Sequence, residues 1–86
     1  MSWDEASFRE KLENNHAFPG PYTFKFIVKP LNQERVEALV PNAEVSVKNS
    51  SGNKYVSVTL HAQMPSSEAV IDIYKEARKI AGLIAL

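Results

Sequence analysis

Three lysines, a tyrosine, a serine and a histidine are the residues of this sequence whose side chains best suit ligand binding. Lysine ammonium groups pair with phosphate or carboxylate, and a tyrosine ring stacks on nucleic-acid bases. A hydroxyl and an imidazole add hydrogen bonds. The candidates are Lys25, Lys29, Lys48, Tyr55, Ser57 and His61. Because they are spread along the chain, only a common surface of the fold can bring them together.

Residue combinations that support catalysis do not occur in this sequence. The chain has no cysteine, which excludes disulfides, thiolate metal sites and thiol nucleophiles. Its two histidines, His16 and His61, are far apart, and its only aspartates are Asp4 and Asp72. Metal binding and acid–base catalysis need several converging groups, and no phosphate loop or nucleophile motif is present. We therefore expect a protein that is not an enzyme and uses no metal or cofactor.

Size and composition predict one small soluble domain. Of the 86 residues, 44% are hydrophobic and 23% charged, which is typical of globular domains. Ten basic residues balance ten acidic ones, so no net positive field attracts nucleic acid. The N-terminal stretch MSWDEASFREKLENN has acids where a signal peptide needs bases, and no run approaches the length of a membrane span. We expect a cytoplasmic location without membrane contact.

The stretch FPGPYTFKFIVKP, residues 18–30, predicts the strand that carries the first two lysines. Apolar residues at alternate positions are expected to face the core, and the opposite face then shows Thr23, Lys25, Ile27 and Lys29. Pro21 and Pro30 lie at the ends of this strand, where a missing N–H costs no central ladder bond. The prolines therefore mark the limits of the strand.

The other elements predict a leading helix followed by the order β-α-β-β-α-β. The first helix is expected at about 3–13, with Ser2 as its capping residue. The second is expected at 32–40, with Asn32 as its cap, and the third from Ser66 to a stop at Gly82. Strands are expected around Val45 and Val47, at 55–62, and at LIAL, residues 83–86; the turn NSSGN joins the first two.

This order is typical of an α+β, ferredoxin-like βαββαβ sandwich, in which a four-stranded antiparallel sheet carries two helices on one face. We assign residues 1–17 to an N-terminal helix and linker, and residues 18–86 to the ferredoxin-like domain. The sequence contains no internal repeat and no second domain.

Three stretches, FPGPYTFKFIV, SSGNKYVSVTLHA and IYKEARKIAGLIAL, together resemble the YbeD-like family of small bacterial proteins, whose function is uncharacterised. The resemblance implies a ferredoxin-like fold similar to the regulatory ACT-type domains of amino-acid metabolism, and a binding or regulatory role without a transferable catalytic residue. The segment between the first strand and Gly52 is shorter here than in the family pattern, mainly in the helix that follows the strand.

The face opposite the helices is the first candidate binding surface. It is expected to show the six residues named at the outset together with Thr23, Ile27, Ser46 and Thr59. The alternatives are weak nucleic-acid binding, an acidic ligand, or a merely solvated sheet face. Nucleic acid is the less favoured partner, because NKYVSVTL lacks the glycines and the several aromatics of an RNA-recognition strand. Resemblance to ACT-type domains implies that a small-molecule effector would bind at the junction between the first strand and the helix that follows it. This junction, Lys29-Pro30-Leu31-Asn32, has no glycine to let a ligand approach the backbone, so such an effector is less favoured.

The sheet edges are the second candidate surface, and our leading interpretation is a non-enzymatic module that associates with a protein partner or with itself. In this topology the edge strands are the second, with Glu44 and Lys48, and the last. Charged residues protect an edge from pairing, whereas the last strand is uncharged. The sequence therefore predicts an interface at Leu83, Ile84 and Leu86, where a partner strand could add.

Overall fold

A computed structural model describes residues 4–49, 52 and 54–85 of the chain. Its helices are α1 (Glu5–Asn15), α2 (Gln33–Glu37) and α3 (Ser67–Ala77). A 3₁₀ turn, Pro30–Asn32, precedes α2. The strands are β1 (Gly20–Val28), β2 (Glu44–Asn49), β3 (Val56–Met64) and β4 (Ile84–Ala85). The elements therefore follow the predicted order.

The strands form one antiparallel sheet in the order β2-β3-β1-β4. This order confirms the ferredoxin-like α+β fold, with β1 and β3 in the centre and β2 and β4 at the edges. The two central strands pair along their whole length, from Gly20 opposite Met64 to Val28 opposite Val56. The edges are unequal, because β2 has six residues and β4 only two.

The core lies between the sheet and the helices, as the alternating pattern predicted. Phe24, Phe26 and Val28 of β1 are fully buried, and so are Val58 and Leu60 of β3. The helices add Val36, Val70, Ile71 and Ala77, which are buried as well. The odd-numbered residues of β1 and β3 therefore point to the other face, which no helix of the described chain covers.

The N-terminal helix packs against α3. The Asp4 carboxylate caps it by accepting the Ser7 backbone N–H at 3.2 Å; the expected cap Ser2, like Trp3, lies outside the described residues. Leu12 is buried in the core, and the Phe8 ring meets the edge of Tyr74 at 5.1 Å between centroids. The Glu5 carboxylate also pairs with Lys75 at 2.9 Å.

The helix after β1 is shorter than the predicted 32–40. It has five residues, and the chain from residue 38 onward continues as turns up to β2. Pro41 disfavours helical backbone at Val40 and so prevents the helix from extending past that residue. The Asn32 side chain does not cap the helix, contrary to prediction; its amide Nδ2 donates to the Ala81 carbonyl at 3.2 Å.

A consequence of the short α2 is that part of the sheet remains uncovered. Val45 and Val47 of β2 point to the same side as Leu60 and Val58, their cross-strand partners. Those partners are fully buried, whereas Val45 and Val47 are 39% and 40% exposed. The helix layer therefore shields the centre of the sheet and leaves the β2 edge open.

Glycines are required at two connections. A Cβ on Gly20 would lie 2.3 Å from the Ala17 carbonyl oxygen, so no larger residue fits at the entrance to β1 without a backbone shift. Gly82 has a φ of +74°, the left-handed conformation that glycine adopts without strain. It stands in the turns that follow α3, and the helix itself ends at Ala77, short of the stop predicted at Gly82.

Candidate functional site

The open face of the sheet contains a depression of about 530 Å³ between β1, β3 and β2. The ladder registers create it, because Thr59 lies opposite both Lys25 and Ser46, and Ser57 lies opposite Lys48. Its lining residues are Lys25, Ser46, Lys48, Ser57 and Thr59, together with Val47, whose side chain alternates toward the helix side. We call this depression the lysine groove. Three of the six predicted binding residues therefore meet in one place.

The chemistry of the lysine groove is that of an anion site. Two ammonium groups stand on either side of the central strand β3, and three hydroxyl groups lie in and beside it. The lining includes no carboxylate. Ammonium and hydroxyl donors suit a phosphate or carboxylate group, and the groove is open enough for a flat or extended ligand.

The other three predicted residues lie outside the lysine groove. Lys29 follows the last residue of β1 and Tyr55 precedes the first residue of β3, so both stand just beyond the final pair of the ladder. His61 lies on the open face, and its Nδ1 shares a hydrogen bond with the Thr23 hydroxyl on the neighbouring strand. The structure therefore divides the predicted surface into a groove and its margins.

A second depression, of about 400 Å³, lies between the end of α1 and the start of α3. Its polar groups already bind one another, since the Ser67 hydroxyl donates to the Glu13 carboxylate at 2.7 Å. The His16 ring meets Tyr22 edge-on at 4.9 Å between centroids. These contacts hold α1 on the domain. Among the described residues, no three His, Cys, Asp or Glu side chains are grouped as metal ligands would be.

Tyr74 is the one strongly perturbed titratable group in the described part of the chain. Burial raises the pKa of its phenol far above the usual range, and a hydrogen bond to Tyr22 adds to the effect. The two hydroxyl oxygens are 3.2 Å apart at the rim of the core. Its ring contacts Phe8, Phe24 and Phe26. These contacts identify Tyr74 as a packing residue.

The β4 edge differs from its prediction. Within the described part of the chain, β4 consists of Ile84 and Ala85, and Ile84 is 52% exposed on the open face opposite Ile27. Leu83 precedes the strand and packs, partly buried, against the core. Leu86 lies outside the described residues. Of the three predicted edge residues, only Ile84 is therefore found exposed at this edge.

The β2 edge is the longer and more exposed of the two. All six of its residues are exposed, and its sequence, EVSVKN, contains no proline to interrupt pairing. The sequence predicts that Glu44 and Lys48 protect this edge, whereas the fold also leaves the two valines between them exposed. The sequence predicts that Pro41 stops this helix after residue 40, whereas α2 ends at Glu37, so Pro41 does not reveal how much of these valines stays exposed.

Comparison with known proteins concerns the whole domain. The sequence matches a family model described as a protein of unknown function (DUF493) over residues 13–86. No curated protein and no solved structure matches. None of the helices within 4–49, 52 and 54–85 has the length and apolar character needed to cross a membrane. The matched range includes every strand of the sheet. It confirms the resemblance to the YbeD-like family, and the chain belongs to the DUF493 family of proteins of unknown function.

Proposed function

We propose that this chain is a non-enzymatic association module that binds a protein strand along its β2 edge. The observation that carries the proposal is the uncovered edge itself. β2 stands at one end of the sheet, and its outer backbone groups have no strand partner among the described residues. A strand added at an edge gains main-chain hydrogen bonds along its length, while its alternate side chains provide specificity.

The exposed valines support this proposal over a simply solvated edge. Val45 and Val47 are among the few large hydrophobic side chains left exposed on the described surface. A partner strand beside β2 would cover them from the side that α2 leaves open. Burying apolar surface contributes roughly 25 cal/mol per Å², so the valines would add to the backbone hydrogen bonds.

The test compares matched edge variants in affinity capture. Val47→Lys places a charge on the β2 edge, and Ile84→Lys places the same charge on the β4 edge, both at exposed aliphatic residues. Tagged domains carrying each change would be incubated with cell lysate, and captured proteins quantified by mass spectrometry. We expect proteins that bind the parent and the Ile84→Lys domain to be lost with Val47→Lys.

The same capture experiment also contains the result that rejects the proposal. A set of bound proteins unchanged by Val47→Lys, or reduced only by Ile84→Lys, would show that β2 is not the binding edge. Thermal denaturation of both variants would confirm that they remain folded.

A second candidate function, binding of an anionic chain such as RNA, is supported by the lysine groove. Lys25 and Lys48 line one depression, and each phosphate contact adds to the salt dependence of binding. The measurement is fluorescence anisotropy with a labelled uridine octamer at 50 and 200 mM salt, about the range over which such contacts weaken. Lys25→Glu and Lys48→Glu should each weaken binding, whereas Lys11→Glu on α1 should not. Equal losses in all three variants would exclude the groove.

A further inference from the structure

We propose that the strand bound at β2 is the β2 strand of a second copy, paired antiparallel with Ser46 at the centre. This inference rests on the proposed association through β2 and names its partner. The result is a symmetric dimer in which two four-stranded sheets join into one sheet of eight strands, with the helices of both copies on the same side.

The charge pattern of β2 is complementary to itself. In the sequence Glu44-Val45-Ser46-Val47-Lys48, an acid and a base lie at equal distances on either side of Ser46. Antiparallel pairing centred on Ser46 therefore puts Glu44 of each copy opposite Lys48 of the other. Both charges of one strand meet opposite charges, and the pairing is the same from either copy, as two-fold symmetry requires.

Other registers lose this match. A shift of two residues along the partner strand places either Glu44 or Lys48 opposite Ser46. The other charged residue of the strand then has no oppositely charged residue across from it. A shift of one residue turns the valines of one copy toward the polar side of the other, because side chains alternate between faces. Only the register centred on Ser46 pairs both charges and both valines.

The two sides of β2 fit this arrangement. Glu44, Ser46 and Lys48 lie opposite His61, Thr59 and Ser57, so the new ion pairs form on the open face. Val45 and Val47 lie on the helix side, and there each would meet the other valine of the second copy. The dimer therefore covers the apolar surface that the short α2 leaves exposed.

The same two charges would also make the β2 edge select a second copy over other strands. A charged edge resists pairing with most strands, because an unmatched charge opposite an apolar or like-charged residue is unfavourable. A second copy removes this penalty at both ends of the strand. With only about five residue pairs, the interface lies at the small end of specific interfaces, so we expect a reversible, concentration-dependent dimer.

Charge reversal tests the proposed register. Sedimentation equilibrium would be measured for the parent, Glu44→Lys, Lys48→Glu and the double variant with both changes. Each single reversal creates two like-charge contacts per dimer and should weaken dimerisation by about tenfold or more. The double variant restores both pairs and should return to within about threefold of the parent. A mixture of the two single variants should form a heterodimer more tightly than either variant dimerises alone.

Glu76→Lys supplies the matched control. Glu76 and Lys79 form an exposed ion pair on α3, away from the edge, at 2.8 Å. Reversing this charge alters the net charge as Glu44→Lys does, and it should leave dimerisation unchanged. Thermal denaturation of each variant would confirm folding.

The outcomes separate this inference from the function on which it rests. A parent that stays monomeric at millimolar concentration, or single reversals that leave the dimer intact, would overturn self-pairing. So would a double variant as weak as the single ones. If Val47→Lys nevertheless removes captured proteins, association through β2 stands with a different partner. If Val47→Lys and both charge reversals leave all association intact, both proposals fail.

Discussion

The two edges of this sheet differ in how closely the rest of the chain packs against them. At the β4 edge, Leu83 packs against the core immediately before a strand of two residues, on the side where the eleven-residue α3 lies. At the β2 edge, a regular six-residue strand is neighboured by a helix of only five residues. The β4 edge is thus short and anchored, and the β2 edge is long and exposed.

This contrast shows that charge alone does not decide which edge is available. Glu44 and Lys48 protect β2 against an apolar strand, but they favour a strand that carries the opposite charges in reverse order. Within the described residues, the uncharged β4 offers a partner the backbone groups of two residues, against six in β2. If the chain associates through a sheet edge as proposed, length and cover therefore favour β2 over β4.

The largest expected effect is a difference in unfolding free energy between substituting a buried core side chain and substituting an exposed one on β2. Ile71 is a fully buried residue of α3, whereas Val47 of β2 is 40% exposed. Ile71→Ala should lower the free energy of unfolding by about 3 kcal/mol through lost packing and a cavity. Val47→Ala should lower it by about 0.5 kcal/mol. Urea denaturation at low protein concentration measures both, and similar losses would show that β2 is as well covered as the core.

The next largest effect is a difference in unfolding free energy between substitutions at two neighbouring residues of the β4 edge. Leu83→Lys replaces a side chain that packs against the core and should cost about 2 kcal/mol of unfolding free energy. Ile84→Lys changes an exposed residue and should cost about 0.5 kcal/mol or less. The same denaturation experiment applies. A Leu83→Lys variant of parental stability would mean that the β4 edge is not anchored through this residue.

A smaller effect is expected at the junction before α2. Asn32→Asp keeps a residue type that caps helices well but removes the amide donor to the Ala81 carbonyl. We expect a loss of about 1 kcal/mol, because Asn32 is buried and a carboxylate would face that carbonyl. Asn42→Asp, at an exposed position, is the control. Unchanged stability in Asn32→Asp would favour the capping role predicted from sequence.

The smallest effect appears only at alkaline pH and reports on the covered side of the sheet. Because the folded chain holds the pKa of Tyr74 above that of the unfolded chain, its stabilisation is complete below about pH 10 and is lost as the pH rises further. Melting temperatures should therefore stay level from pH 8 to about pH 10 and decline between about pH 10 and 11. Tyr74→Phe should flatten that decline; a decline equal to that of the parent would contradict this assignment.

The fold was predictable because period-two alternation and proline positions are local signals. Alternating residues in β1 and β3 identified the buried face, and Ser66 marked the start of α3, whereas the helix ends at Ala77, before the predicted stop at Gly82. The groove partners Lys25 and Lys48 were placed on one face for the same reason. Their common depression depends on the register between three strands, which alternation alone does not determine.

The edges were not predictable because cover is a property of packing between distant elements. Nothing in the sequence near Leu83 indicates that it turns toward the core, since LIAL is apolar at every position. The exposure of Val45 depends on where α2 ends, and Asn32 reaches Ala81 across the fold instead of capping its own helix. Local patterns therefore predicted the strands but not which edge stays open.

Amide hydrogen exchange at increasing protein concentration tests most directly whether β2, and not β4, is the associating edge. Amides of residues 44–48 that point outward should exchange more slowly as the dimer forms, while those of Ile84 and Ala85 keep their rates. Slower exchange at Ile84 and Ala85 with β2 unchanged would contradict the account. Concentration-independent exchange at both edges would contradict self-pairing through β2.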